Sequence, residues 1–397
     1  MSAPFQPAAP GQLRLGIFAT HPIQYFAPFW RLLAATPGLD VKVHFFNDQS
    51  VRGGKDAGFG VAVAWDVPLL EGYGHEFITR DGNLRDKNTI ELPDARTRVT
   101  REHFDVVMVQ GYAGKFERQV IAAAKANGVG TVMRAEFTDA SEAPRGFAKR
   151  MVRDAMLQRL YAKVDCFGVI GKAAERHLRR LGVAQDKLFS SPYAVDTALF
   201  ERQRAEHPRA AARAALGLRE EDFVVLFSGK LIPRKAPLLL IAALEKLRGR
   251  ESVVLLMVGD GEQRAAVEEK GRALLGERLR LEGFVNQSGL GQRYAAADVL
   301  VLPSTFETWG LVVNEAMQFG VPAIVSANVG SGEDLVVEGK TGMVFPVGEA
   351  AALAACLQTL VDEPARAREM GAAARAHVAG YSTEAAVEGI RRALGVG

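Results

Sequence analysis

The stretch PSTFETWGLVVNEAM, residues 303–317, follows the apolar run Val299–Leu302 and decides how the second half of the chain is read. An uninterrupted apolar run of that length reads as a buried strand. Gly310 permits a turn beyond it, and a helix is expected from about Leu311 or Val312. Glu307 and Glu315 then sit eight positions apart across a strand–loop–helix junction. Two carboxylates there can accept hydrogen bonds from the hydroxyls of a sugar and of a ribose. The backbone N–H groups of Thr308, Trp309 and Gly310, near the helix start, favour an anion.

Outward from this junction the same alternation repeats. Strands are expected at Phe223–Ser228, Val253–Val258, Leu279–Glu282 and Ala323–Ser326, with helices at Leu238–Leu247, Asn314–Phe319, Ala350–Asp362 and Glu384–Leu394. The first half offers strands at Leu13–Ala19, Val41–Phe46, Asp105–Val109, Gly130–Arg134 and Phe167–Ile170, with helices at Ile23–Ala35 and Val120–Ala126. Segment 50–102 has weak periodicity and reads as loops and short elements. The charged, Ala-rich segment near 197–220 separates the two series. The expected fold is α/β, two Rossmann-like domains facing a central cleft: residues 1–200, residues 201–380, and a terminal helix over 381–397 returning to the first domain.

Composition excludes some classes. Net charge is +3, too small to argue for nucleic acid, and no apolar run reaches the ~18 residues that span a bilayer. MSAPFQPAAP lacks the basic and apolar segments of a signal peptide, so a cytoplasmic protein is expected. Cys166 and Cys356 lack metal-like spacing and read as buried thiols. Charge is uneven, however. Residues 1–200 hold 26 Lys+Arg against 21 Asp+Glu, or +5, and the remainder 23 against 25, or −2. Segment 145–163 carries Arg145, Lys149, Arg150, Arg153, Arg159 and Lys163 against Asp154 alone, with Met156 and Leu160 interleaved. It reads either as a solvated helix face or as a peripheral contact with an anionic membrane at its inner face.

Three motifs carry the chemistry. In FSGKLIPRKAP, 227–237, Gly229 allows a sharp turn, while Arg234 and Lys235 place two cations near a strand's carboxyl end, where a diphosphate would be neutralised. VGDGEQR, 258–264, supplies Gly259 and Gly261 at another strand end, a weak signal alone. The third is the Glu307/Glu315 pair.

With these pieces in place, residues 223–346 resemble the C-terminal domain of family 4 retaining glycosyltransferases of the GT-B fold. The resemblance rests on Ser228-Gly229-Lys230 with Arg234-Lys235, Val258–Gly261, Tyr294–Asp298, the Glu-x7-Glu segment, Gly320-Val321-Pro322 and Gly339–Gly342. It implies a UDP- or GDP-sugar donor whose diphosphate is held by Arg234 and Lys235. Glu307 would contact the transferred sugar and Glu315 the ribose, with backbone at Thr308, Trp309 and Gly310 nearby. It implies no cofactor and no metal, and attack on the face the leaving phosphate departs from. The first half resembles the family more loosely, through THPIQYFAPFW, 20–30, and SPYAVDTALF, 191–200. A Gly-Gly loop after the first strand is replaced by Thr20–Gln24, and a mid-domain histidine by Val109-Gln110-Gly111-Tyr112. His21 could substitute, or could be a turn residue with a satisfied ring. The acceptor, a glycan or lipid-linked molecule, is expected against His21, Gln24, Tyr25, Gln110, Tyr112, Arg134 and Glu136. A nucleotide-sugar 2-epimerase of the same fold and a non-catalytic glycosyltransferase-like subunit are the alternatives.

Overall fold

The apolar runs become the parallel strands of two separate sheets. The computed structural model describes residues 5–7, 11–55, 62–80, 89–139 and 147–396, apart from the side chains of residues 54, 55, 62, 63 and 250. The chain divides into two units: residues 1–54, 68–194 and 382–397 form the first, residues 55–67 and 195–381 the second.

In the second unit six strands lie in the spatial order Leu279–Gly283, Val253–Val258, Phe223–Ser228, Val299–Leu302, Ala323–Ser326 and Gly342–Phe345, every neighbouring pair parallel. Strand order reverses between Phe223–Ser228 and Val299–Leu302, and in such sheets ligands bind at the carboxyl ends flanking that switch. Both central strands are buried along their whole length, because helices cover both faces. Phe227, Leu240, Leu244, Leu255, Val301 and Leu357 meet in one core cluster.

The first unit repeats the plan with seven strands in the order Gly74–Phe77, Leu39–Phe45, Leu13–Ala19, Val106–Val109, Gly130–Arg134, Cys166–Val169 and Leu188–Ser190. Its switch lies between Leu13–Ala19 and Val106–Val109, paired with Phe18 opposite Val109. Trp30, fully buried, packs edge-on to Phe45 and Tyr73 with centroids 5.2 and 5.8 Å away. The terminal helix Thr383–Leu394 starts on Ser382, whose hydroxyl accepts from the Ala385 amide at 3.2 Å, and stops at Gly395 in the left-handed region. It buries Ala386, Val387, Ile390, Ala393 and Leu394 in the first unit's core. Both units have the sheet topology of Rossmann-like domains.

Several expectations are revised. The first helix is Ala27–Ala34, not Ile23–Ala35, because Ile23–Phe26 forms turns and Pro28 sets the first helical turn. Segment 50–102 contributes an edge strand, Gly74–Phe77, hidden in sequence by its polar GHEF. The stretch read as a break holds two helices, Thr197–Glu206 and Arg209–Ala215. Their Arg209 and Arg213 reach Asp298 at 2.6 and 2.7 Å. Cys166 is buried, its thiol pushed up to about 12 by burial, but Cys356 is only partly covered. Among the described residues no helix is long and apolar enough to cross a membrane.

Candidate active site

The two loops at the second unit's switch are tied together by backbone and side chain. Thr305 N–H and Oγ1 both donate to the Arg234 carbonyl, at 2.8 and 3.2 Å. Arg234 Nη1 donates to the Phe306 carbonyl at 2.9 Å and stands 3.5 Å from Glu307 Oε2. Lys235 Nζ donates to the same Glu307 oxygen. The three charged groups therefore converge from different strand ends. Lys235 and Glu307 are largely covered, at 12% and 14% exposure, whereas Arg234 is 45% exposed. An ammonium has three donors, so Lys235 can keep Glu307 and still bind an anion.

Glu307 is fixed from behind. Its N–H donates to the Asn328 carbonyl at 3.0 Å, and its own carbonyl accepts from Gly330 at 2.9 Å. Gly310, at φ +96°, turns the chain into the short helix Val312–Gln318. Trp309 is buried, with its indole N–H donating to Asn314 Oδ1 at 2.9 Å, so its ring faces inward.

Glu315 is separated from this cluster. It is 1% exposed and accepts from the Tyr294 hydroxyl at 2.5 Å; Tyr294 also lies 3.4 Å from Ser228 Oγ.

The glycines at 229, 259 and 261 serve close packing of loops. Gly229 N–H donates to the Val258 carbonyl at 2.9 Å, Leu231 to Asp260 at 2.8 Å, and Gly259 to Gly283 at 2.7 Å. A Cβ on Gly259 would lie 1.9 Å from the Gly229 carbonyl oxygen, and one on Gly261 2.6 Å from that of Leu231. The sequence shows two glycines at a strand end; only coordinates reveal that each faces another backbone.

The first unit's switch holds part of the acceptor-side set. Strand register pairs Phe18 with Val109, so the turns that begin at Thr20 and Gln110 leave neighbouring strand ends. The His21 ring contacts Thr20 Oγ1 through Nδ1 at 2.9 Å, and burial lowers its pKa, so it is neutral at pH 7. Both amide atoms of Gln110 are buried without a hydrogen-bond partner among the described residues. Gln24 and Tyr25 are partly covered in the turn before Ala27–Ala34. Tyr112 stacks on Phe137 at 5.5 Å, inside an aromatic cluster with Tyr161. Arg134 is buried, its Nε donating to Ser191 Oγ at 2.9 Å and its Nη2 to the Pro192 carbonyl at 2.9 Å. Burial pulls it down to about 10, and Phe29 lies 4.9 Å from the guanidinium carbon. Glu136 is exposed and accepts from Tyr193 at 2.9 Å, and its charge acts on Arg134 against the effect of burial.

Comparison with known proteins places these observations. Residues 208–377 match the family model described as glycosyl transferases group 1. A D-inositol 3-phosphate glycosyltransferase of Streptomyces avermitilis is 36% identical over 188 residues, 45% of this chain and 40% of that protein. D-inositol 3-phosphate glycosyltransferase 1 of Catenulispora acidiphila is 30% identical over 261 residues, 63% of this chain and 60% of that protein. The chain thus spans about half the length of the curated relatives it matches. The crystal structure of Anabaena HepE in complex with UDP superposes at a TM-score of 0.72, with 19% identity, over 96% of this chain and all of that one. Sucrose-phosphate synthase from Thermosynechococcus elongatus superposes at 0.66, with 20% identity, over 96% and 97%. In fold the chain is of the GT-B class. In sequence, the likeness to family 4-like glycosyltransferases lies mainly in the second unit.

Proposed function

We propose that the chain moves a hexose-type sugar from a nucleotide-sugar donor, a UDP- or GDP-sugar, to a glycan or lipid-linked acceptor with retention of configuration. The observation that carries this reading is the convergence of Arg234, Lys235 and Glu307 from two loops at the switch of the second sheet. Arg234 and Lys235 would take the donor diphosphate, and Glu307 a hydroxyl of the transferred sugar. HepE, similar in fold, was crystallised with UDP and with UDP-glucose, which supports a uridine donor.

The leaving group is a nucleoside diphosphate, and its growing negative charge is what the site must stabilise. The bond between the anomeric carbon and the phosphate oxygen breaks, with its electron pair leaving on the diphosphate. The acceptor oxygen bonds to the anomeric carbon from the same face, and its proton passes to the departing phosphate oxygen. The neutral His21 is then not required as a base. Gln110, with its unpartnered buried amide, would read an acceptor hydroxyl. Glu315, whose Oε2 is held by Tyr294, would take a ribose hydroxyl.

A thermal-shift series over UDP, GDP, ADP and CDP sugars tests the donor. At a hundredfold excess over its dissociation constant, a binder stabilises by ~2.7 kcal/mol. The proposal fails if no nucleotide sugar shifts the midpoint, or if the shift survives in Arg234→Ala and Lys235→Ala alike.

A further inference from the structure

We propose that the helix Phe147–Tyr161 docks on an anionic bilayer surface. Arg145, the first member of the basic row seen in sequence, lies outside the described residues. Phe147, Met151, Val152 and Met156 are 79, 58, 63 and 59% exposed. Elsewhere among the described residues, only Val51, Val337 and Val344 are large apolar side chains exposed to a comparable degree, and none lies on this helix. Single exposed apolar residues need no explanation, but four on one helix mark an interaction surface.

Cations flank Val152 and Met156, with Met151 to one side. At the helical period, Val152, Met156 and Arg159 lie opposite the buried Leu157 and Tyr161, with Lys149 alongside and Lys163 one turn further on. Lys149, Arg150, Arg159 and Lys163 are all exposed. The helix has a single carboxylate, Asp154, and it is turned inward, 2.6 Å from Arg180 Nη1. Among the described residues the helix therefore presents no acid outward. The inner face is held firmly: the Tyr161 hydroxyl meets His177 Nε2 at 3.1 Å, His177 Nδ1 meets Asp139 at 2.9 Å, and Arg180 reaches Asp139 at 2.7 Å.

Methionines and long basic stems suit a deformable surface with buried acyl chains and anionic headgroups. The apolar side chains enter the boundary while the Lys and Arg heads reach up to phosphate. Charge complementarity selects an anionic surface, and the exposed Met151, Val152 and Met156 favour one with acyl chains beneath its charges.

Flotation of the full chain with vesicles tests this without donor or acceptor, so its outcome is independent of the transferase reading. The expected result is binding to phosphatidylcholine vesicles containing phosphatidylglycerol, weak binding to phosphatidylcholine alone, and release by salt. Each basic residue near such a surface is worth ~5-fold in partition, so Lys149→Gln, Arg159→Gln and Lys163→Gln together should weaken binding about a hundredfold. Met151→Ser, Val152→Ser and Met156→Ser together should abolish whatever binding survives at high salt. All six side chains are exposed, and an unchanged circular dichroism spectrum and unfolding midpoint certify the fold. Equal binding to both vesicle types, or none to either, overturns the proposal. So does a dimer in light scattering that the serine variant converts to monomer without any vesicle binding.

Discussion

Replacing Gly259 by alanine puts a methyl carbon 1.9 Å from the Gly229 carbonyl oxygen, with the backbone at φ +135°. The neighbouring atom is backbone, so no side chain can swing aside. The two loops must part by at least an ångström. A non-glycine residue held in that region costs ~1–3 kcal/mol. Parting the loops also strains the Gly229–Val258 and Gly259–Gly283 hydrogen bonds, each worth ~1 kcal/mol. The expected loss is about 3–5 kcal/mol, a large share of the 5–15 kcal/mol that holds a typical domain. Urea unfolding followed by circular dichroism measures it. Gly217→Ala is the control: its φ of +63° is also positive, but nothing lies within 4 Å of the added carbon, so about 1 kcal/mol is expected. Because the displaced loop leads directly to Arg234 and Lys235, titration with UDP should also show weakened binding in Gly259→Ala and not in Gly217→Ala. Equal destabilisation of the two variants would refute the close-approach argument, since strain alone would then account for both.

Four further outcomes are expected. Asp298→Asn leaves the buried Arg213 guanidinium without its anion and should cost about 3 kcal/mol in urea unfolding; a loss below about 1 kcal/mol would show that the pairs with Arg209 and Arg213 do not hold the helices. Arg234→Ala removes a half-exposed cation 3.5 Å from Glu307, so stability should stay within about 0.5 kcal/mol while UDP affinity falls about 10- to 100-fold; unchanged affinity by calorimetry would remove Arg234 from the donor site. Gln110→Leu should leave stability unchanged or raised, because it deletes an amide that has no partner among the described residues, yet raise the KM for acceptor about tenfold; an unchanged KM would assign Gln110 to packing. Burial pulls the His44 imidazole down to about 4 despite its contact with Glu76 Oε1, and its Nε2 has no acceptor waiting for a proton. The unfolded chain takes up that proton below about 6.5. This contribution is therefore complete above pH ~6.5, declines as pH falls, and is lost by pH ~4, about 3 kcal/mol in all. His44→Gln should flatten that part of a stability–pH curve, and an equally steep wild-type and variant curve would contradict it.

What the sequence made legible was what repeats with a simple period. Leu13–Ala19, Gly130–Arg134, Phe223–Ser228, Val253–Val258, Val299–Leu302, Ala323–Ser326 and Ala350–Asp362 are found where the apolar pattern places them. The edge strand Gly74–Phe77 escapes because an edge has one unpaired side and tolerates His75 and Glu76, which remove the apolar signal. Thr197–Ala215 looked like a separator because its partner, Asp298, is far away in sequence. The site was half legible. Residue types at strand ends indicated Arg234, Lys235 and Glu307, but no spacing rule states that Tyr294 covers Glu315, or that Arg134 turns into its own domain to serve Ser191 and Pro192. The unpartnered amide of Gln110 likewise depends on neighbours that a linear reading does not supply.

The return of Thr383–Leu394 to the first sheet has a consequence for biosynthesis. Gly389 packs so tightly that a Cβ there would lie 1.7 Å from the Ser190 carbonyl oxygen, and Ser191 Oγ donates to the Ala386 carbonyl at 2.8 Å. The ribosome makes this helix after the whole second unit. The first unit is thus begun first and completed last, its apolar flank uncovered while residues 195–381 emerge and fold. A nascent chain stalled before Ser382 would carry a finished second unit beside an unfinished first one, a natural substrate for a chaperone.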